Sequence, residues 1–335
     1  MNWKNQTVLI TGGTGSFGKA CIRILQEKYH PEKIIVFSRD ELKQHEMREA
    51  GFNQENLRYF IGDIRDEQRL KRAMDGVNIV IHAAALKQVP ACEYNPMEAI
   101  KTNILGTANV VEAALENNVE KVLALSTDKA VSPANLYGAT KLAAEKLTVQ
   151  SNAYSGERPT RFACVRYGNV VGSRGSVVPI FLRQRENGKF TITDERMTRF
   201  WLSLEQGVDF VLSCIEIMHG GEVFVPKLPS TTILDLTQAI APEAEIEVVG
   251  IRPGEKLHEV LISEDEARSA VELESMYVIQ PAQGPFFVHS WADKGKPLPE
   301  GFHYVSNENE QMLSPAEIRD IIAPIEADMK AGKLA

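Results

Sequence analysis

Short apolar runs alternate with longer amphipathic or charged stretches through the first half of the chain. The runs are rich in β-branched residues and predict six strands, at residues 7–11, 33–38, 57–61, 77–82, 121–126 and 160–167. The run at residues 34–37 carries no polar alternation, as expected of a parallel strand covered on both faces. Each intervening stretch is long enough for a helix, so the pattern predicts an α/β fold with a doubly wound parallel sheet.

After Gly168 the pattern loosens into shorter elements, which predict a smaller C-terminal lobe. These elements cover residues 190–193, 204–218, 222–226, 234–240, 246–251 and 255–262. We therefore expect one domain at residues 1–168, with later returns of the chain to it, and a lobe formed mainly by residues 169–335. Ligands of open parallel sheets bind beyond the carboxyl ends of the strands, so the lobe should close over that edge. Residues 327–335 have no strong apolar pattern and are expected to fray.

Composition narrows the class of partner. The chain has 335 residues, and its hydrophobic content of 44% is enough for a large core. Its 37 basic and 45 acidic residues give a formal charge of −8, which argues against nucleic acid or an anionic membrane surface as partner. A small-molecule partner is expected instead.

The cysteines and the longest apolar runs indicate the compartment. No CxxC pair is present, so neither a disulfide framework nor a metal site is predicted from Cys21, Cys92, Cys164 and Cys214. The longest apolar stretches, such as residues 77–86, are far shorter than the roughly 20 residues of a membrane helix. We expect a cytoplasmic protein with no membrane partner.

A glycine-rich loop follows the first predicted strand. Residues 12–18 read GGTGSFG, a GxxGxxG spacing between a strand and a helix. Glycine lets the backbone turn tightly and approach a pyrophosphate, which the first amides of the next helix then stabilise. A tight turn without a ligand is the alternative, but the order of strand, loop and helix favours a Rossmann dinucleotide site. The predicted contacts are Gly12, Thr14, Gly15, Ser16, Phe17 and Gly18.

The end of the second strand bears on which dinucleotide binds. An NAD enzyme places a carboxylate there for the adenosine ribose, but this chain has Ser38. The hydroxyl of Ser38 and the cations of Arg39 and Lys43 suit a 2′-phosphate, so NADP is the predicted cofactor. A solvated basic helix start is the alternative, given the acids at 40 and 41. The candidate residues are Ser38, Arg39, Asp40, Glu41, Leu42 and Lys43.

Two further turns are candidates to contact the cofactor. The acid after the third strand could accept a hydrogen bond from the adenine amino group, although a helix N-cap explains it nearly as well. Small side chains after the fourth strand let a dinucleotide pass close to the backbone, and close helix–sheet packing is compatible with that role. The candidates in these turns are Asp63, Ile64, Ala83 and Ala84.

A tyrosine and a lysine follow the fifth strand, which ends in Ser-Thr-Asp-Lys. Tyr137 and Lys141 are four residues apart, a spacing that puts both on one face of a helix. The ammonium can then lower the pKa of the phenol and reach a nicotinamide ribose. A half-buried tyrosine with a solvated lysine is the alternative, which the nearby glycine loop makes improbable. The pattern predicts an enzyme that moves a hydride.

These motifs resemble a known superfamily. TGGTGSFG at 11–18, HAAA at 82–85 and the set Thr127, Tyr137 and Lys141 resemble the extended short-chain dehydrogenases/reductases. Longer segments resemble one branch of it, the inverting UDP-N-acetylglucosamine 4,6-dehydratases of pseudaminic acid biosynthesis. These segments are SRDELK (38–43), HAAALKQVP (82–90), STDKAVSPANLYGATK (126–141), RYGNVVGSRGSVVP (166–179), TDERMTRFW (193–201) and IRPGEKLHE (251–259). The likeness spans about residues 5–265, and the last seventy residues are less diagnostic.

The resemblance implies a reaction and roles for the strand-end residues. In that family the sugar is oxidised at C4 by hydride transfer to NADP, water is lost across C5 and C6, and the hydride returns to C6. By the resemblance, Tyr137 is the base for the C4 hydroxyl, Lys141 its activator and Thr127 a hydrogen-bond partner of the substrate oxygen. Asp128 and Lys129 stand where dehydratases that retain C5 configuration carry Asp-Glu, which implies a role in elimination and inversion.

Lys129 can remove the C5 proton only as a neutral amine. Burial, the cationic nicotinamide and Lys141 are expected to lower its pKa in that direction. The alternative makes Lys129 a structural charge partner of Asp128.

The resemblance also implies a UDP-sugar site and an assembly. Arg199 and Arg252 suit the diphosphate as bidentate donors, and Lys87 would touch both cofactor and sugar. The implied substrate contacts are Lys87, Asn169, Val177, Thr193, Met197, Arg199, Arg252 and Glu255. A homo-oligomer such as a hexamer is implied as well. The competing functions are a nucleotide-sugar 4-epimerase, a retaining 4,6-dehydratase and, ranked lower, a non-catalytic NADP-sensing regulator.

Overall fold

A ten-stranded sheet forms the centre of the computed structural model, which describes residues 1–172, 176–281 and 290–330. Its strand order is β16-β14-β15-β10-β6-β5-β4-β1-β2-β3. The strands of the described chain are β1 (Thr7–Thr11), β2 (Lys33–Ser38), β3 (Leu57–Ile61), β4 (Ile79–His82), β5 (Lys121–Leu125), β6 (Arg161–Val165), β7 (Asn169–Val170), β8 (Lys189–Ile192), β9 (Thr198–Leu202), β10 (Val223–Pro226), β11 (Ser230–Thr232), β12 (Glu245–Val248), β13 (Val260–Ile262), β14 (Ala270–Glu272), β15 (Met276–Ile279), β16 (Lys296–Pro297) and β17 (Tyr304–Val305).

Helices cover both faces of this sheet and build much of the C-terminal lobe. They are α1 (Ser16–Ile24), α2 (Glu41–Glu49), α3 (Glu67–Ala73), α4 (Val89–Tyr94), α5 (Pro96–Ile100), α6 (Gly106–Glu116), α7 (Leu136–Gln150), α8 (Val177–Arg185), α9 (Leu204–Ile217), α10 (Ile233–Ile240), α11 (Glu264–Ala267) and α12 (Pro315–Lys330). Short π-helical segments extend α1 at Leu25–Tyr29 and join α5 to α6 at Lys101–Leu105.

The apolar runs become the parallel strands that the sequence predicts. Val8, Leu9 and Ile10 are all fully buried. Val8 and Ile10 belong to one apolar cluster and Leu9 to another, because successive side chains point to opposite faces of a strand. Both faces are therefore covered, and the predicted doubly wound α/β fold is confirmed. Three predicted strands are shorter than expected, since β4 begins at Ile79, β5 ends at Leu125 and β6 covers Arg161–Val165.

The second half of the chain returns to the sheet before it completes the lobe. β10 pairs in parallel with β6, and β15 and β14 extend the same sheet in antiparallel fashion. The lobe contains α8, α10 and α12, which share an apolar cluster. Residues that follow Gly168 thus contribute both to the central sheet and to the C-terminal lobe.

Residues 327–330 at the end of the last helix differ from the sequence prediction. α12 runs through Lys330, so the expected fraying of residues 327–330 is wrong. Glu326 pairs with Arg185 of α8 at 2.9 Å and with Lys330 at 2.8 Å, and Met329 packs on the apolar cluster of the lobe. Residues 331–335 lie outside the described residues.

Candidate active site

The glycine loop forms a tight turn, here called the cradle, between β1 and α1. Gly12 has φ +67°, and a Cβ there would lie 3.0 Å from the Cα of Ala84. A Cβ at Gly18 would overlap the backbone of Gly13. α1 begins at Ser16, and its N-cap Gly15 makes no side-chain capping bond, so the first amides of the helix are open to an anion. The cradle therefore fits the phosphates of a dinucleotide.

The predicted 2′-phosphate residues lie beside this loop. The Ser38 and Thr14 hydroxyls are 2.9 Å apart, which joins the end of β2 to the glycine loop. The side chains of Arg39 and Lys43 are 58% and 47% exposed. Asp40 is the N-cap of α2 and pairs with Lys43 at 3.0 Å, so part of the helix-start alternative is also correct. Arg39 and Lys43 thus present cations next to the cradle.

The other predicted residues of this region take simpler positions. Phe17 packs on the main apolar cluster, whereas Glu41 and Leu42 lie exposed in the first turn of α2. Ile64 is buried, and its side chain lies close to Gly106 of α6. Only the backbone of Ile64 can therefore face an adenine.

Asp63 is held by arginines. Its carboxylate accepts hydrogen bonds from Arg65 at 2.7 to 3.1 Å and lies 3.7 Å from Arg39. Burial opposes ionisation, but the bonds from Arg65 hold the pKa of Asp63 below its usual value. Asp66 is the N-cap of α3, so the capping alternative for Asp63 is wrong.

A buried hydrogen-bond chain positions the small-residue turn after β4. The Thr11 hydroxyl accepts from the backbone N–H groups of Ala83 and Ala84 at 3.1 and 3.2 Å and lies 2.8 Å from His82 Nδ1. His82 Nε2 lies 3.0 Å from the Thr107 hydroxyl. Burial and nearby Lys141 lower the pKa of His82 to about 3, so the ring is neutral. The sequence analysis missed this series of hydrogen bonds. Its signal in the sequence is a polar residue at the end of each of two strands, Thr11 in β1 and His82 in β4.

Tyr137 and Lys141 lie in the first turns of α7, as predicted, and both are buried. Burial raises the pKa of Tyr137 to about 12, with Lys129 and a hydrogen bond involving Thr127 acting to lower it. Burial also lowers the pKa of Lys141, whose Nζ donates to the Leu125 carbonyl at 2.6 Å. The cation that acts most on the phenol is therefore Lys129, where the sequence analysis expected Lys141.

The turn at Asp128–Ala130 lies directly against α7. A Cβ at Gly138 would overlap the Lys129 carbonyl oxygen, so glycine is needed for this close approach. Asn135 caps α7 by accepting from the Gly138 N–H at 2.8 Å. These contacts, which the sequence analysis did not single out, bring Tyr137 and Lys129 together.

Lys129 is a cation held by two buried carboxylates. Its Nζ lies 3.2 Å from Asp128 Oδ1 and 3.4 Å from Glu259 Oε1. Burial lowers the pKa of Lys129, but the two carboxylates more than offset that effect and raise it above its usual value. The expected lowering is therefore wrong for this arrangement, since the sequence analysis did not anticipate Glu259.

A cavity of about 230 Å³ opens beside Lys129. Four of the predicted substrate residues line it, namely Asn169, Arg199, Arg252 and Glu255. Arg199 is anchored to the carbonyl oxygens of residues 198, 256 and 257 at 2.7 to 3.2 Å, whereas the Arg252 side chain is 70% exposed. Arg252 can therefore move onto a ligand, and Arg199 forms a fixed wall. Asn169 Oδ1 is buried without a hydrogen-bond partner among the described residues.

The other four substrate predictions lie outside this lining. Lys87 is exposed in the loop after β4, and Val177 is the first residue of α8. The Thr193 hydroxyl donates to the sulfur of buried Met197 at 3.0 Å, and Arg199 Nη2 donates to the same sulfur at 3.3 Å. Thr193 and Met197 therefore lie next to Arg199 but outside the described lining of the cavity. Residues 173–175 of the RYGNVVGSRGSVVP segment lie outside the described residues.

The described part of the chain has neither a candidate metal centre nor a candidate membrane span. No group of three or more His, Cys, Asp or Glu side chains in it could hold a metal ion. Within the same residues no helix has the length and apolarity to cross a membrane.

The fold and the site define the class of protein. A parallel sheet with a glycine cradle after β1 and a buried Tyr137 and Lys141 on α7 define an extended short-chain dehydrogenase/reductase. The chain belongs to the polysaccharide biosynthesis protein family, whose model matches residues 8–281.

Three similar proteins agree with this class. UDP-N-acetylglucosamine 4,6-dehydratase (inverting) from Campylobacter jejuni subsp. jejuni serotype O:23/36 (strain 81-176) is 54% identical over 329 residues, 96% of this chain and 98% of that protein. UDP-glucose 4-epimerase from Rickettsia rickettsii (strain Sheila Smith) is 43% identical over 336 residues, 96% of each chain. The X-ray structure of Pen from Bacillus thuringiensis has a TM-score of 0.88 and 41% identity, and covers 97% of this chain and 99% of that chain.

Proposed function

We propose that this chain is an NADP-dependent hydro-lyase that dehydrates UDP-N-acetylglucosamine across C5 and C6 and inverts C5. The product is UDP-2-acetamido-2,6-dideoxy-β-L-arabino-hex-4-ulose. The observation that carries the proposal is Lys129, a partly buried lysine that lines the cavity and acts electrostatically on Tyr137. The Campylobacter relative bears the name of this activity at 54% identity, which supports the same choice.

The Rickettsia relative favours a second candidate, a nucleotide-sugar 4-epimerase. Epimerisation at C4 requires Tyr137 and Lys141 but no acid or base for the loss of water. Lys129, paired with two carboxylates at the cavity, has no task in that reaction. The arrangement therefore favours dehydration.

Bound NADP would supply a hydride acceptor for C4 and a donor for C6. The amides at the start of α1 would hold its pyrophosphate, and Lys141 would hold the nicotinamide ribose. Tyr137 takes the proton of the C4 hydroxyl, and Thr127 hydrogen-bonds the same oxygen. Arg252 and Arg199 neutralise the UDP diphosphate in the cavity. Lys129, paired with Asp128 at 3.2 Å, acts in the elimination across C5 and C6.

The reaction can be tested by incubating the pure protein with UDP-N-acetylglucosamine in deuterated water and following the sugar by NMR. We expect a 4-keto-6-deoxy product with deuterium at C5 and the L-arabino configuration, because the C5 proton is removed and replaced from solvent. The D-xylo product would assign a retaining dehydratase. Formation of UDP-N-acetylgalactosamine would assign the epimerase.

NADP should bind more tightly than NAD, and Arg39→Ala should remove most of that preference. A charge-assisted bond to the 2′-phosphate is worth about 1.5 to 3 kcal/mol, so NADP affinity should fall roughly 10- to 100-fold while NAD affinity stays constant. Calorimetric titration of cofactor-free protein measures both. Arg48→Ala is the matched control, because Arg48 lies at the far end of α2, which follows Arg39, and stacks on Tyr59. Equal affinity of the unaltered protein for the two cofactors would contradict the assignment.

The pathway, the assembly and the compartment are further parts of the proposal. A role in pseudaminic acid biosynthesis, a homo-oligomer such as a hexamer and a cytoplasmic location follow from the family resemblance. The division into a cofactor domain at residues 1–168 and a substrate lobe at 169–335 remains a prediction of the same kind. Light scattering of the pure protein measures the assembly directly.

A further inference from the structure

Glu259 has a carboxylate that faces the cavity beside Lys129. The backbone of Glu259 is fixed on both sides, because its N–H donates to the Ser306 hydroxyl and its carbonyl accepts from the Ser306 N–H, each at 2.9 Å. One carboxylate oxygen, Oε1, lies 3.4 Å from Lys129 Nζ and 3.6 Å from Arg199 Nε. The side chain is 3% exposed.

The second oxygen of Glu259 is unusual. Oε2 is buried and has no hydrogen-bond partner within the described part of the chain, although Glu259 lines the cavity. A buried acceptor left unpaired destabilises a fold, and a charged one does so more. Such an atom is expected where a ligand completes the site.

Asp128 is the other carboxylate that pairs with Lys129, and both of its oxygens already accept hydrogen bonds. Its Oδ1 accepts from the Thr127 hydroxyl at 2.7 Å, the Lys129 N–H at 2.9 Å and Lys129 Nζ at 3.2 Å, and Oδ2 lies 3.4 Å from the same Nζ. The side chain is 1% exposed, and the described lining of the cavity includes Lys129 and Glu259 but not Asp128. Of the two carboxylates that pair with Lys129 in the described chain, Glu259 is therefore the one with an unpaired oxygen and a place in the cavity lining.

We propose that Glu259 is a further catalytic residue, the base that removes the C5 proton, and that Lys129 is the acid paired with it. This inference rests on the proposed dehydration. Asp128 then acts through Lys129 as a positioning residue. Inversion also favours two separate groups, because the C5 proton must leave from one face of the sugar and return on the other.

The proton balance of the elimination is closed by this pair. Glu259 takes the C5 proton of the 4-keto sugar, the electrons of the C5–H bond form the C5=C6 bond, and the C6–O bond breaks. Lys129 gives a proton to the departing hydroxyl, which leaves as water. The Glu259 carboxyl then returns its proton to the Lys129 amine across the 3.4 Å contact. The Lys129 side chain is 29% exposed, so its ammonium exchanges protons with solvent. After the hydride returns to C6, Lys129 protonates C5 with a solvent-derived proton, and the proton held by Tyr137 restores Lys129.

Glu259→Gln tests this role, because the amide keeps the shape of the side chain but cannot take a proton. We expect C4 oxidation to persist, seen as absorbance of the reduced nicotinamide, while water loss falls at least about 100-fold. In deuterated water the recovered sugar should carry no deuterium at C5. Lys129→Ala should also block water loss but still exchange the C5 proton, because Glu259 remains.

The opposite exchange pattern, lost in Lys129→Ala and kept in Glu259→Gln, would make the lysine the base and overturn the inference. Product formation by Glu259→Gln at a rate close to the unaltered enzyme would also overturn it. If Glu259→Gln folds poorly, Glu259→Asp keeps a carboxylate and should restore part of the C5 exchange.

Glu272→Gln is the matched control, since Glu272 pairs with Lys227 at 2.7 Å outside the cavity, and it should leave every step unchanged. Failure of the proposed function has a different signature. The unaltered enzyme would then neither reduce its nicotinamide nor exchange C5 with this sugar.

Discussion

Tyr137→Phe lowers turnover of UDP-N-acetylglucosamine at least about 100-fold and leaves NADP bound, because the phenol is the group that takes the C4 proton. The ring remains to fill its buried place on α7, and the glycine cradle is untouched. Unlike Glu259→Gln, this variant should stop before any reduced nicotinamide forms. Stopped-flow absorbance and calorimetric titration with NADP measure the two effects.

Tyr59→Phe is the control for the loss of a phenol. Tyr59 lies on β3, and its hydroxyl donates to the Phe52 carbonyl at 2.7 Å. Its removal should cost about 1 kcal/mol of stability and leave turnover unchanged. A Tyr137→Phe enzyme that keeps most of its rate would remove the tyrosine from the mechanism.

Arg166→Met should lower the free energy of unfolding by about 3 to 5 kcal/mol, because it leaves a carboxylate buried without its cation. Arg166 is fully buried, and its guanidinium donates to Glu145, to Glu266 at 2.9 Å and to the Leu261 carbonyl at 2.9 Å. Glu145 lies on α7 and also accepts from the Ser126 hydroxyl at 2.6 Å. The Arg166–Glu145 pair thus ties α7 to the end of β6, and the bond from Ser126 ties α7 to the end of β5, which precedes Asp128 and Lys129.

Denaturant titration measures this loss, and two further variants check its origin. Arg185→Met removes a partly exposed pair with Glu326 and should cost no more than about 1 kcal/mol. Replacing Arg166 and Glu145 together by apolar residues should recover part of the loss, because the fully buried carboxylate is then removed with its cation and only the partly exposed Glu266 lacks a partner arginine. An unfolding midpoint of Arg166→Met equal to that of the unaltered protein would mean that the buried pair does not stabilise the fold.

The sequence placed those site residues well that are neighbours along the chain. The glycine loop lies between β1 and α1, and Tyr137 and Lys141 share one helix, because each arrangement depends on spacings within one loop or helix. The role of Lys129 was less predictable. Its charge state depends on Glu259, which is 130 residues away in sequence.

Local pattern determined the parallel strands, the cradle after β1 and the tyrosine–lysine face of α7. An unbroken apolar run requires cover on both faces, and a four-residue spacing fixes which side chains share a helix face. Only the tertiary structure decided that β10 returns to the sheet, that Gly138 admits the Lys129 carbonyl and that Glu259 reaches the cavity. The hydrophobic periodicity of a sequence indicates which positions are buried. It does not indicate which distant element packs on each of them. The partners of a buried charge are therefore set by packing between elements.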